Sequence, residues 1–229
     1  MNDILLSVLL PTRKRTQLVE KTVRTLLELA DNPKRLEVLI AYDNDDAQSA
    51  DYFKSNCWRD LISSYNCTSQ EFCVESWGYY DLNKYYNYLS NNSKGCWYLI
   101  WNDDALMLTD GWDSVVEKYK DYIGMLSIET TNNPHCLFPI VPKLWKDLFG
   151  TLCDDHNAID SWIYHICKIA NCVKEVEIKT FHDRFSETGN NNDEVFHNRK
   201  YRKKEYKSKR LTTIRNTWAD ILIKRKLEI

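Results

Sequence analysis

Apolar residues in this chain gather first into short, nearly unbroken runs. Ile4 to Leu10 is one such run, as expected of a strand buried on both faces. Pro11-Thr12-Arg13 ends it. Val19, Val23, Leu26, Leu27 and Ala30 then recur at helical spacing, and Asn32-Pro33 stops the helix. Leu36 to Tyr42 is a second apolar strand, closed by Asp43-Asn44-Asp45-Asp46. Strand, helix and strand within about forty residues predict a βαβ unit with a right-handed crossover.

Beyond it the pattern is less regular. A helix is expected near Asp51–Ser63 and a short strand near Phe72, and Tyr79 to Leu89 is polar and aromatic at roughly helical spacing. Cys96 to Trp101 is a third buried strand, with Asn102-Asp103-Asp104 at its carboxyl end. Asp110 is placed to cap a helix running to Lys120. Met125–Glu129 and Leu137–Val141 read as strands. Pro142 suits the first position of a short helix, with Gly150 past its end. From Asp155 to Ala170, Ile159, Trp162, Ile163, Ile166 and Ala170 mark one helical face, with Asp160 off its centre. Val173–Ile178 is a last strand, leading into Phe181-His182-Asp183-Arg184, and Ile214, Trp218, Ile221 and Leu222 mark a terminal amphipathic helix. The expected architecture is α/β, a mostly parallel central sheet flanked by helices. It comprises one domain over residues 1–198 and a basic helical extension over 199–229.

Composition narrows the class. Hydrophobic residues at 43% and aromatics at 13% exclude a disordered chain. The net charge of -2 hides a basic run from Arg199 to Arg210, where Glu205 is the single acid. The opening residues show no basic segment before the apolar run and no small-residue cleavage site. That run, about seven residues, is too short to span a bilayer. The expected location is therefore the cytoplasm (a host's, if the protein is viral), with no integral membrane segment. The eight cysteines include no Cys-x-x-Cys pair, so reduced, mostly buried thiols are expected rather than a zinc or redox site.

Acids at the carboxyl ends of predicted parallel strands are the informative chemistry, because ligands of open α/β sheets bind outside those ends. Asp43 and Asp46 follow the second strand; Asp103 and Asp104 follow the third. No glycine-rich phosphate loop is present. A diphosphate bound here needs other neutralisation, which a divalent ion on carboxylate oxygens supplies, and Mn²⁺ or Mg²⁺ suits such ligands. Taken alone, Asp103-Asp104 would read as turn residues.

In order, Ser7-Val8-Leu9-Leu10-Pro11-Thr12-Arg13, a strand ending in Asp43, and a hydrophobic strand ending in Asn102-Asp103-Asp104 resemble a family 2 glycosyltransferase of the GT-A fold. The resemblance covers roughly residues 4 to 195 in element order, with only short stretches close in letters. It implies that Pro11, Thr12, Arg13 and Asp43 hold the nucleoside. The family's Asp-x-Asp motif reads Asn102-x-Asp104 here, so its first acid is missing; Asn102 and Asp103 remain donor-site residues, and Asp104 the metal ligand. The catalytic base is matched best by Asp160, with Asp155 second. His182 resembles the histidine that many relatives return to the metal.

The implied activity is inverting, metal-dependent transfer of a sugar from a nucleotide sugar, taken as a UDP-sugar, to a hydroxyl. Two acceptors stay open. One is a hydroxylated base in DNA, favoured by the compact size, the basic tail and an Asn-, Lys- and Tyr-rich composition compatible with a viral origin. The other is a cell-surface or lipid-linked glycan. Trp77, Tyr79, Tyr80 and Trp145 could form the aromatic pocket that a flipped base needs. The tail is either a solvated charged segment, a footprint for a polyanion, or a lid over the donor diphosphate. Asn102 also admits a binding module that has lost catalysis. A nucleotidyltransferase shares the sheet, but Thr12-Arg13-Lys14-Arg15 lacks the glycines of its signature. Asp193 reads as a loop acid; His135, His156, His165 and His197 share no ligand spacing and read as structural.

Overall fold

A computed structural model describes residues 4–154, 158–197 and 209–227. Its centre is one eight-stranded sheet in the order β3-β2-β1-β4-β7-β6-β8-β5. The first half is parallel and follows from the apolar runs. Strand β1 (Leu6–Thr12) pairs with β2 (Leu36–Asp43) from Leu6↔Leu36 to Thr12↔Tyr42, and on its other side with β4 (Trp97–Ile100). Strand β3 (Thr68–Val74) forms the edge beside β2. Helix α1 (Thr16–Glu28) connects the parallel β1 and β2 and buries Val19, Val23, Leu26 and Leu27.

Alternate positions of β1 and β2 feed two cores. Val8, Leu10, Val38 and Ile40 pack with α1, α2 (Ala47–Lys54) and α3 (Asn56–Ser64). Leu9, Leu39 and Ala41 pack with α4 (Leu82–Asn92), α7 (Ile159–Ile169) and α10 (Lys209–Leu227). One helix was expected over Asp51–Ser63. The chain instead breaks at Ser55, whose extended backbone and side chain cap α3 by accepting from the Trp58 N–H.

The second half of the sheet is mixed. Strand β7 (Ile140–Pro142) runs antiparallel to β4 and to β6 (Met125–Thr130). Strand β8 (Val173–His182) is parallel to β6, and the short β5 (Ala105–Met107) closes the far edge antiparallel to β8. Three local expectations need correction. Asp110 does not cap α5 (Trp112–Glu117): Gly111 precedes that helix in left-handed backbone, φ 66°, and makes no side-chain cap. Pro142 is the last residue of β7, opposite Trp97, so α6 (Leu144–Phe149) begins after it; Gly150 does end α6, at φ 73°. The last strand runs four residues past Ile178, because Thr180 to His182 pair with β5.

Two short helices, α8 (Phe185–Thr188) and α9 (Glu194–His197), follow β8, and the terminal helix α10 belongs to the core. Trp218 stacks on Phe149 with ring centroids 4.1 Å apart and meets Trp145 and Trp162 edge-on, while Leu222 is fully buried. Trp145 is therefore a core residue rather than part of a base pocket. Among the described residues no helix is long and apolar enough to cross a membrane. Of the eight cysteines only Cys153, Cys167 and Cys172 are buried, and Cys57, Cys73 and Cys96 are exposed, which corrects the expectation of mostly buried thiols.

Candidate active site

The carboxyl ends of β1, β2 and β4 open into one pocket, as the parallel register requires. Pro11, Thr12, Arg13, Asp43, Asn102, Asp103, Asp160 and His182 all line it. Asp104 is buried and is not among the lining residues, but it contacts the lining His182. Of the residues singled out from sequence, Asp155 and His156 lie outside the described residues, as do residues 199–208 of the basic run.

At one end, Asp43 is the last residue of β2 and is buried. It accepts from Arg13 Nη1 at 2.7 Å, from Ser76 Oγ at 3.2 Å and from the Tyr85 hydroxyl. The same hydroxyl accepts the N–H groups of Trp77 and Gly78 at 3.0 Å each, which fixes the Trp77–Gly78 wall. Burial, then the bond to Asp43, raise the Tyr85 pKa above its ordinary value. Arg13 also pairs with Asp45, and both acids hold its guanidinium protonated. Asp46 has a structural task instead: it caps α2, accepting from Ser49 N at 3.0 Å.

At the other end, Asp103 and Asp104 are separated by what they bind. Asp103 uses both oxygens inward, accepting from Thr12 Oγ1 at 2.8 Å and Arg15 Nη1 at 3.0 Å. Burial raises its pKa, as does the neighbouring Asp104; Arg15 and Thr12 oppose the rise. Asp104 places Oδ1 3.0 Å from His182 Nε2 and Oδ2 3.6 Å from Arg15 Nη1. The pairing Ala105↔His182 creates this contact, and Asp183 N donates to Asp104 O at 2.8 Å beside it. Asn132 fixes the strand end further, exchanging bonds with the His182 backbone at 2.8 and 3.1 Å.

Asp104 and His182 can hold a divalent ion. Their facing atoms are 3.0 Å apart, and adjacent ligands of an octahedron with bonds of about 2.1 Å are about 3 Å apart. His182 Nδ1 is buried with no hydrogen-bond partner. No group of three or more His, Cys, Asp or Glu suited to a metal occurs among the described residues. With two protein donors, any ion at this place would complete its shell with water or phosphate oxygens.

Between the two ends, the buried Tyr86 hydroxyl lies 3.0 Å from both Trp101 O and Asn102 Oδ1. Burial raises its pKa well above the ordinary value, and the charges of Asp160, Asp103 and Asp104 add to this. Asp160 sits half-buried in the first turn of α7, where the helix dipole favours a carboxylate.

Sequence reasoning gave no site role to Arg15, Tyr85, Tyr86 or Arg184, all of which line the pocket. Asp193, read as a loop acid, instead grips Arg15 through two bonds of 2.7 Å. Only the Arg-Lys-Arg cluster and the polar, aromatic stretch Tyr79 to Leu89 at roughly helical spacing hinted at these residues.

No protein-family model and no curated protein sequence matches the chain significantly. Solved structures do match it. Residues 1–349 of TarS from S. aureus, bound to UDP, share 14% identity at a TM-score of 0.59, over 85% of this chain and 68% of that one. The same piece was solved with UDP-GlcNAc, at 12% identity and a TM-score of 0.59, over 84% of this chain and 63% of that one. A mannosyltransferase from Pyrobaculum calidifontis, in complex with GDP-Man and Mn²⁺, shares 13% identity at a TM-score of 0.62, covering 95% and 72% of the two chains. At such identities the likeness is one of fold. The chain has the GT-A fold, with the acids of its sheet assembled where that fold opens.

Proposed function

We propose that the protein is a glycosyltransferase that moves a sugar from a nucleotide sugar to a hydroxyl acceptor with inversion. The observation that carries this is convergence: Pro11, Thr12, Arg13, Asp43, Asn102, Asp103, Asp160 and His182, drawn from distant parts of the sequence, line one pocket, and the buried Asp104 contacts the lining His182. The fold neighbours support it, since their structures contain UDP, UDP-GlcNAc or GDP-Man, one of them with Mn²⁺.

In this reading the Asp43 end takes the nucleoside of a UDP-sugar, with Pro11, Thr12 and Arg13 as its wall. Asp104 and His182 hold Mn²⁺ or Mg²⁺, which when bound supplies positive charge for the leaving diphosphate. Asp103 shapes that end through Thr12 and Arg15. Asn102 is turned toward Tyr86 and keeps its amide for a ribose or sugar hydroxyl. Asp160 accepts the acceptor's proton while the acceptor oxygen bonds to the anomeric carbon and the bond to the diphosphate oxygen breaks. Asp155, the second candidate base, lies outside the described residues.

For the acceptor we favour a hydroxylated base in DNA, on the charge of the run Arg199–Arg210 and the viral-type composition, over a cell-surface or lipid-linked glycan. Deleting everything after Asn198 is a poor test, because Trp218 and Leu222 are buried in the core. Changing Lys200, Arg202, Lys203, Lys204 and Lys207 to serine leaves α10 intact. Salt-sensitive DNA binding should then be lost; if wild type shows no such binding, the glycan reading replaces this one.

The test of the donor reading is a thermal-shift panel of nucleoside diphosphates and their sugars with Mn²⁺. A donor at about 100 times its Kd adds roughly 2.7 kcal/mol to stability. A panel in which nothing moves the melting point would remove the reading.

A further inference from the structure

Arg15 is a buried cation that the transfer chemistry above does not use. Its side chain is 4% exposed. A guanidinium so far from water is stable only with its charge and N–H groups matched. Asp193 matches one side, through Nε and Nη2 at 2.7 Å each. This fork fixes the plane and points Nη1 at the acid pair, 3.0 Å from Asp103 Oδ1 and 3.6 Å from Asp104 Oδ2. A second tie, Lys14 Nζ to Glu194 Oε2 at 3.1 Å, joins the same two segments. Burial works against the charge on Arg15, and Asp103, Asp193 and Asp104 together outweigh it.

The acid pair therefore already has a partner cation. Asp103 and His182 line the pocket, and the buried Asp104 has Oδ1 on His182 and Oδ2 toward Arg15, so an ion held by Asp104 and His182 must settle beside a fixed guanidinium. Like charges a few ångströms apart in a site of low effective dielectric repel strongly. A diphosphate arriving with the ion offsets that repulsion and adds oxygen ligands, as Mg²⁺-type sites with few protein ligands require.

We propose that Arg15 is a resident counter-charge for the Asp103–Asp104 pair, which keeps a free divalent ion out and makes its binding conditional on the donor's diphosphate. This rests on the reading of Asp104 and His182 as the ion's ligands. Arg15 is a positioning residue in this scheme, and Asp193 is its anchor. By linkage, whatever the nucleotide adds to ion affinity the ion adds to nucleotide affinity.

The test is Mn²⁺ binding to the full chain by electron paramagnetic resonance, alone and with UDP or GDP, alongside calorimetry of the nucleotides. In wild type, nucleotide should tighten Mn²⁺ binding by about tenfold or more. Arg15→Met should bind Mn²⁺ without nucleotide about tenfold more tightly than wild type and lose most of the coupling. Arg15→Lys, which keeps the charge, should stay near wild type. A merely structural role would instead lower affinity with and without nucleotide alike. Nucleotide that binds without affecting Mn²⁺ affinity would overturn the inference and leave the donor reading standing; so would an Arg15→Met chain, folded by circular dichroism, that gains no Mn²⁺ affinity. If Arg15→Met does not fold, the coupling in wild type and Arg15→Lys decides. Failure of both nucleotides to bind, with or without Mn²⁺, overturns the donor reading and the inference together.

Discussion

Nε2 of His182 lies 3.0 Å from Oδ1 of Asp104, across 78 residues of chain. The contact comes from the edge pairing of β5 with β8, which puts Ala105 opposite His182. If these two side chains share an ion, His182→Ala should raise the Mn²⁺ concentration needed for half-maximal activity. Even an outer-shell partner of a metal is worth roughly 10–100-fold in affinity or activity, so a ligand should cost at least that. A Mn²⁺ titration of turnover checks this, and an unchanged midpoint removes His182 from the ion site.

Asp160 sits on a different element from Asp43, Asp103 and Asp104, in the first turn of α7. As the general base it should be separable from donor binding. Asp160→Asn should lower transfer by about 10²–10⁴, with nucleotide affinity by calorimetry little changed. A parallel loss of both would give the residue a structural task instead.

The prediction for alkaline pH concerns Tyr85, which donates to Asp43 and accepts from Trp77 and Gly78. Its pKa is raised in the fold, first by burial and then by Asp43. A raised value means that the neutral form is preferred when folded. The stability from Tyr85 is therefore full below the ordinary tyrosine value of about 10 and is lost as pH rises through the higher folded value. Denaturant melts of wild type and Tyr85→Phe from pH 8 to 11 should converge toward the alkaline end. At pH 8, Tyr85→Phe should cost about 1–3 kcal/mol, because it leaves a buried carboxylate oxygen short of a donor. A difference that does not vary with pH would contradict this.

The parts of the fold legible in the sequence are those whose signal is local. Strands β1, β2 and β4 are buried on both faces, so the runs Ile4–Leu10, Leu36–Tyr42 and Cys96–Trp101 that contain most of their residues read as apolar, with an acid or Pro-Thr at the carboxyl end. The meeting of Pro11-Thr12-Arg13, Asp43 and Asn102-Asp103 in one pocket followed, because the parallel register brings those strand ends together without further information. The three-residue β5 has no periodicity to detect, and its pairing with β8 is a long-range event. His182 could therefore be suggested only by resemblance. Arg15 was hidden for a related reason: in Arg13-Lys14-Arg15 every residue looks like a solvated turn, and its partner Asp193 is 178 residues away. The break at Ser55 turned on one capping side chain inside an otherwise helical stretch.

Trp218 tests whether the terminal helix is part of the folded unit. Its ring is stacked on Phe149 and enclosed by Trp145 and Trp162. Trp218→Ala should cost about 3–5 kcal/mol, the range for emptying a large aromatic site. A denaturation midpoint within error of wild type would mean that α10 is dispensable to the core.

The central claim, an active transferase rather than a binder of nucleotide sugars, is tested most directly by release of nucleoside diphosphate from UDP-sugars in the presence of Mn²⁺. Wild type should show slow hydrolysis of its donor without any acceptor, and Asp104→Ala, folded and with its melting temperature preserved, should show none. Tight binding of the same donors by wild type, with no turnover above the Asp104→Ala background, would contradict the account and make Asn102 the mark of a lost activity.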